Sequence, residues 1–313
     1  MNNNPALKKK NRFLVYLRQT WPLYLMMVPG LAYLFINNYL PMFGLQFAFK
    51  KINYTTGVWK SPWVGLSNFT YLFKTADVYE AFRNTILYNL VFLVLGHALA
   101  LFVAILLEQC MGRTFKMYQT LILLPFLLSA SVIAYLAFAF LSSDNGFLNN
   151  TILKMFGKDP ITWYSKPKYW PYILTFIHIW KSIGYSSILY YATLIGIDKS
   201  YYEAAVLDGA SVPQQIRHIT LPLLKTTIIT LVIMQIGRMF YSDFGLFYQV
   251  PMNNGMLYST TNTIDTYVYR GLMEINDVGR SSAAGFLQSV LGFILVLTTN
   301  LIVRKVDRDS ALF

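Results

Sequence analysis

Charge is scarce in this 313-residue chain: Asp, Glu, Lys and Arg make up 13% of it, against 55% hydrophobic and 17% aromatic residues. That is about half the charge density of a soluble domain, so lipid is its expected solvent. Cysteine is scarcer still. A lone Cys110 excludes an internal disulfide and any multi-cysteine metal site. His97, His178 and His218 share no ligand spacing, so neither a metal centre nor a cofactor bound by this chain is expected. No glycine-rich loop of the kind that cradles phosphates occurs, which excludes a P-loop ATPase. No period of about 20 to 50 residues repeats. A cleavable leader is not expected either, because the first apolar stretch, from near Trp21 to about Phe43, lacks a small-residue cleavage pattern and reads as a retained helix.

What the sequence has instead is length in its apolar runs. Ile86 to Leu107 and Met117 to Leu141 contain no charged residue, and about 20 apolar residues suffice to cross about 30 Å of hydrocarbon. Hydropathy predicts six spans, near residues 22–43, 84–107, 118–141, 170–196, 223–247 and 282–303. The fold expected is therefore an all-α integral membrane protein, with residues 1–313 as one transmembrane domain. The formal charge of +12 does not point to nucleic acid, because the positive residues gather where spans begin and end. Lys8, Lys9, Lys10, Arg12 and Arg18 lie in a basic tail over 1–21, and Arg304, Lys305 and Arg308 in a second tail over 304–313. By the positive-inside rule both termini are cytoplasmic, which requires an even number of spans. Residues 44–83, 142–169 and 248–281 are then external, while 108–117 and 197–222 are cytoplasmic. Lys154, Lys158, Lys166 and Lys168 fall outside in this scheme, as longer loops permit. The turn signal Asp144-Asn145-Gly146, followed by Phe147, Leu148, Ile152 and Phe156 at near-helical spacing, predicts a short surface helix.

The cytoplasmic segment 198–222 is polar yet patterned. Ser200-Tyr201-Tyr202-Glu203 fits a capping box opening a helix, and Gly209 is placed to end it. A second box follows, with Ser211 as N-cap, Pro213 in the first turn and Gln214 at the third position; this helix is expected to stop before Pro222. Eight to ten helical residues extend about 12 to 15 Å, enough to reach out from the membrane surface to a partner.

Here the chain resembles a known family. Glu203-Ala204-Ala205, three residues, Gly209, nine residues, Ile219, one residue and Leu221-Pro222 reproduce the EAA loop of the permease subunits of binding-protein-dependent ABC importers. Asp208-Gly209-Ala210 is the form common in sugar importers, and where many relatives carry a further proline this chain has Thr226. Val28-Pro29-Gly30, Tyr39-Leu40-Pro41-Met42-Phe43-Gly44, Trp63-Val64-Gly65-Leu66-Ser67-Asn68-Phe69 and Ile264-Asp265-Thr266-Tyr267-Val268-Tyr269-Arg270 are similar to the LplB-type branch of saccharide importer permeases. The resemblance implies a bacterial inner membrane, a second homologous permease, two copies of an ABC ATPase that use ATP and Mg, and an extracellular solute-binding protein. It also implies roles. Glu203 is the polar contact to the ATPase, Ala204 and Ala205 permit close approach, and Gly209 supplies the bend. The competing reading is that Glu203 only caps its own helix.

Polar residues within spans are costly and tend to face a pathway or a partner. In span four, His178, Lys181 and Tyr185 share one helical face; in span five, Gln235, Arg238 and Ser242 do so, with Asp243 beside them. The family resemblance places sugar contacts on these two spans, near Tyr185, Gln235, Arg238 and Ser242. Two cations there favour an acidic saccharide and Tyr185 offers a surface for a sugar ring, unless Lys181 and Arg238 pair with Asp243 or snorkel to an interface. Asn89 and His97 are expected to hydrogen-bond between helices. An ion-coupled carrier remains the alternative, although such carriers commonly show repeats and paired broken helices. An intramembrane enzyme is disfavoured, since Asp243 is the only carboxylate well inside a proposed span.

Overall fold

The computed structural model describes residues 5–109 and 112–306; Cys110 and Arg308 lie outside them, as does the rest of the 307–313 tail. Nearly all of it is helical, and the only extended pairing among the described residues is an isolated bridge between Lys50 and Trp63. Helix α1 (Pro5–Leu34) runs on through a π turn and a 3-10 segment as far as Phe49, so the basic segment expected as a tail is helical from Pro5 onward. Next come α2 (Ser67–Lys74), α3 (Ala76–Gln109), α4 (Gly112–Leu127), α5 (Ala130–Leu141) and α6 (Trp170–Leu194). They are followed by α7 (Ser200–Leu207), α8 (Val212–Ile236), α9 (Ile264–Met273) and α10 (Val278–Val306). The short surface helix expected after Gly146 is present over residues 147–155.

Four of these are single helices long and apolar enough to cross a membrane: the run Arg18–Phe49, α3, α8 and most of α10. The apolar run 118–141 departs from expectation, for it is two helices, α4 and α5, bent by 94°. Pro125 has no N–H to give the preceding turn, and Ser129 leaves helical geometry at ψ 154 to cap α5, accepting from Val132 N at 3.3 Å. Helix α6 has the length of a span, 25 residues, but carries His178 and Lys181 midway and is not among these four.

Helix α8 also departs from the sequence reading at both ends. It does not stop before Pro222, because the π turn Ile216–Thr220 bonds one residue further back, with Leu221 N on Ile216 O, and the proline follows without a lost donor. Nor does it reach residue 247: it ends at Ile236, and residues 237–243 are not helical.

The bundle is organised around α3 and α6, which share the most extensive packing of any pair. Tyr88 and Phe92 of α3 meet Trp170, Leu174 and Ile177 of α6, Ile133 and Ala137 of α5, and Phe247. Towards the other end Ala100 and Ala104 let α3 lie close to Tyr190 and Leu194 of α6. Gly184 is the point where α4 presses on α6, since a Cβ there would sit 2.0 Å from Ile122 O. These contacts set the two ends of the molecule. Asp77, at the start of α3, accepts from Asn262, while Glu108, at its far end, borders a cleft with Tyr202 and Gln215.

Candidate functional site

At the end of the bundle marked by Glu108, α7 and the start of α8 form a projecting elbow. The expected box between Ser200 and Glu203 does not form; Asp198 opens the helix instead, its Oδ1 accepting from Ser200 N at 2.9 Å. That backbone bond holds the Asp198 carboxyl below the usual carboxylate range. The Glu203 carboxylate is thereby freed from capping, exposed and without a hydrogen bond to any other described residue.

The elbow itself is built from short-range bonds. Gly209 takes φ +77, which side-chain-bearing residues rarely adopt, and the turn is closed by Gly209 N to Val206 O at 3.0 Å and Ala210 N to Ala205 O at 2.8 Å, the bonding of a Schellman cap. Ser211 and Gln214 form the second capping box, with Ser211 N donating to Gln214 Oε1 at 2.7 Å. Tyr202 Oη and Thr220 Oγ1, 2.9 Å apart, tie α7 to α8. Around this frame Ala204 and Asp208 are exposed, Ala205 and Ile219 are half-buried, and Leu221 and Pro222 face outward at the base. Apolar side chains stand in the open beside Glu203: Leu207 is 88% exposed and Val206 62%. A rigid elbow presenting two carboxylates unbonded to other described residues, Glu203 and Asp208, among exposed apolar groups has the character of a docking surface.

The residues expected along a pathway are only partly brought together. Lys181 Nζ of α6 lies 3.7 Å from Asp243 Oδ2, so one of the two cations is paired. Arg238 is exposed and forms no ion pair with a described residue. Tyr185 stacks on Phe126 at 4.8 Å and 10°, leaving its other face open. Gln235 is half-buried near the end of α8. Ser242 turns away: its hydroxyl donates to Asp265 Oδ2 at 2.7 Å and lies 2.8 Å from Thr263 Oγ1, which is placed to donate to it. His178 leaves the shared face as well, stacked flat on Phe92 at 3.7 Å. His97 bonds between helices as expected, its Nδ1 2.7 Å from Tyr190 Oη, whereas Asn89 of α3 donates to the non-helical segment, to Met239 O at 3.0 Å.

Three polar groups of weight were not singled out by the sequence reading. Asp265 and Gln288 hold the segment after α8, and Arg270 is buried at the opposite end, over the Tyr258 ring and bonded to Asn253, Asn262 and Thr266. Burial lowers the pKa of that guanidinium. Asp265 and Arg270 do lie in the Ile264–Arg270 stretch that carried part of the family resemblance, which was the one available signal. Among the described residues no group of three or more His, Cys, Asp or Glu gathers that could hold a metal ion.

Residues 96–308 match the family described as binding-protein-dependent transport system inner membrane component. Protein LplB of Bacillus subtilis (strain 168) is 34% identical over 94% of this chain and 91% of its own. The crystal structure of a bacterial ABC transporter involved in the import of the acidic polysaccharide alginate contains a chain that superposes with a TM-score of 0.86 at 30% identity, covering 95% of this chain and 99% of that one. A bacterial alginate ABC transporter in complex with an alginate pentasaccharide-bound periplasmic protein is similar at a TM-score of 0.84 and 29% identity, over 94% and 98% of the two chains.

Proposed function

The chain belongs to the family of binding-protein-dependent transport system inner membrane components, and on that premise we propose that it is a pore-forming permease subunit of an ATP-driven saccharide importer. It works with a second homologous permease, two copies of an ABC ATPase that bind the ATP and Mg, and an external solute-binding protein. The chain itself is not an enzyme. It crosses the membrane of a bacterial cell six times, with α4 and α5 together as one crossing, and both termini are cytoplasmic.

The observation that carries this reading is the free Glu203 carboxylate on the Gly209 elbow. A group that capped its own helix would be unavailable to a partner; this one is not spent. In the proposed mechanism the ATPase grips the elbow, and its closure on nucleotide moves the elbow as a rigid body. Because α6 and α8 flank the elbow, that movement tilts both and opens the path to alternate sides. Two features favour an acidic saccharide: Arg238 remains an uncommitted cation on the same segment as Asp243 of the Lys181–Asp243 pair, and a similar solved transporter imports alginate, an acidic polysaccharide.

The test is uptake into proteoliposomes holding the permease pair, the ATPase and internal ATP, with the binding protein outside. Uptake of an acidic oligosaccharide that needs both ATP and the binding protein is expected; uptake driven by an ion gradient without ATP would overturn the importer reading. Arg238→Gln should lower acidic-oligosaccharide uptake about tenfold more than neutral uptake. Equal loss for both would remove the acidic assignment and leave the importer intact.

A further inference from the structure

Between Ile236 and Phe244 the backbone abandons the helix within a proposed membrane span, beside Asn89 of α3 and at residues that are half-buried or exposed. Bare peptide groups at such a place cost several kcal/mol each unless something else bonds them. Three side chains from three other helices do so. Asn89 Nδ2 of α3 donates to Met239 O at 3.0 Å and Tyr241 O at 2.8 Å, sharing its hydrogens with Thr85 O of its own helix. Gln288 Nε2 of α10, on a side chain 4% exposed, donates to Phe240 O at 2.7 Å and to Asp265 Oδ1 at 3.2 Å, which commits both hydrogens. Asp265 of α9 accepts through Oδ2 from Ser242 N at 2.6 Å and Ser242 Oγ at 2.7 Å.

The break is therefore held from three sides. Arg238 stands at its start, and Asp243 at its end, where Oδ1 accepts from Leu246 N at 3.1 Å while Oδ2 pairs with Lys181. We propose that Asn89, Asp265 and Gln288 are positioning residues that clamp the non-helical segment 237–243, fixing Arg238 at its start and Asp243, paired with Lys181, at its end, along the translocation path. This rests on the importer reading above. None of the three need touch the saccharide; they act through the carbonyls and the one amide they bond.

Donor chemistry gives a test that packing alone would fail. At position 288 Gln288→Leu keeps bulk and loses both donors, Gln288→Glu sets an acceptor against Phe240 O and Asp265, and Gln288→Lys restores donors to both. Each variant is assembled with the partner permease, ATPase and binding protein, and two quantities are read. The first is saccharide imported per ATP hydrolysed. The second, in a Cys110→Ser background, is the yield of a short thiol cross-link between Lys181→Cys and Asp243→Cys. Leu and Glu should lower both readings about tenfold, and Lys should stay within about twofold of Gln288. A packing role ranks the variants the other way, with Leu best; that order, or four equal cross-link yields, would overturn the proposal. If the wild-type complex imports nothing with ATP while the cross-link still follows donor chemistry, the clamp stands and the importer reading is what fails.

Discussion

The elbow at 198–222 and the break at 237–243 meet the same difficulty, backbone groups left bare where a helix ends, in opposite ways. The elbow satisfies its groups from within: Asp198 bonds Ser200, Gly209 bonds Val206, Ala210 bonds Ala205 and Ser211 bonds Gln214, all within five residues. The break bonds some of its amides locally, Arg238 N to Gln235 O and Tyr241 N to Arg238 O, both at 2.9 Å, but for the rest it borrows from afar, with Asp265 and Gln288 lying 23 and 48 residues from the groups they bond and Asn89 lying 150 and 152 away. An element closed on itself keeps its shape when pushed, which suits a lever. An element held by α3, α9 and α10 keeps its shape only while those helices keep their places, which suits a junction that registers their movement.

Breaking the long-range half should cost most. Asn89→Leu leaves Met239 O and Tyr241 O without a side-chain donor, and at about 1–3 kcal/mol per orphaned group a destabilisation of about 3 kcal/mol is expected in thermal unfolding of the solubilised permease pair. An unchanged midpoint would mean the borrowed bonds are dispensable, and the contrast would collapse. Next is Gly209→Val, which forces a β-branched residue to φ +77; about 2 kcal/mol of local strain is expected. Because the elbow is self-contained, that variant should lose ATPase binding while the bundle melts normally. A smaller loss, about 1 kcal/mol, is expected from Ser211→Ala, which removes one capping box, read as faster amide exchange confined to the start of α8.

The smallest effect sharpens the comparison through pH. The folded Asp198 carboxyl has its pKa depressed by the Ser200 amide, so its stabilisation is complete above the unfolded value of about 4 and is lost as pH falls through the folded value. Amide protection at the start of α7 should be flat from neutral pH down to about 5 and decline only in stronger acid. Asp198→Asn should abolish the decline and leave the break untouched.

Legibility in the sequence follows the same division. The Gly209 turn and the Ser211–Gln214 box are short-range, and their spacing was readable. The start of α7 was misplaced because Asp198 and Ser200 are both good N-caps two residues apart, and the fold uses the first. Hydropathy found the apolar runs but not their direction: α4 and α5 read as one span because apolarity is continuous through the 94° bend, and only Pro125 and Ser129 hinted at it. Likewise the run 223–247 stays apolar through Phe240, Leu246 and Phe247 while the helix stops at Ile236. Asp265 and Gln288 were illegible as clamps, since their partners are carbonyls and an amide that become bare only once the chain has folded.

The central claim is that the elbow around Glu203 and Gly209 receives the ATPase. The direct measurement is whether the chain, solubilised with its partner permease, retains the ATPase subunit, comparing wild type with Glu203→Ala plus Gly209→Pro. Retention by wild type and loss in the variant, with the permease pair intact in both, is the predicted result. A folded wild-type pair that retains no ATPase, or a variant that retains it as well as wild type does, would contradict the account.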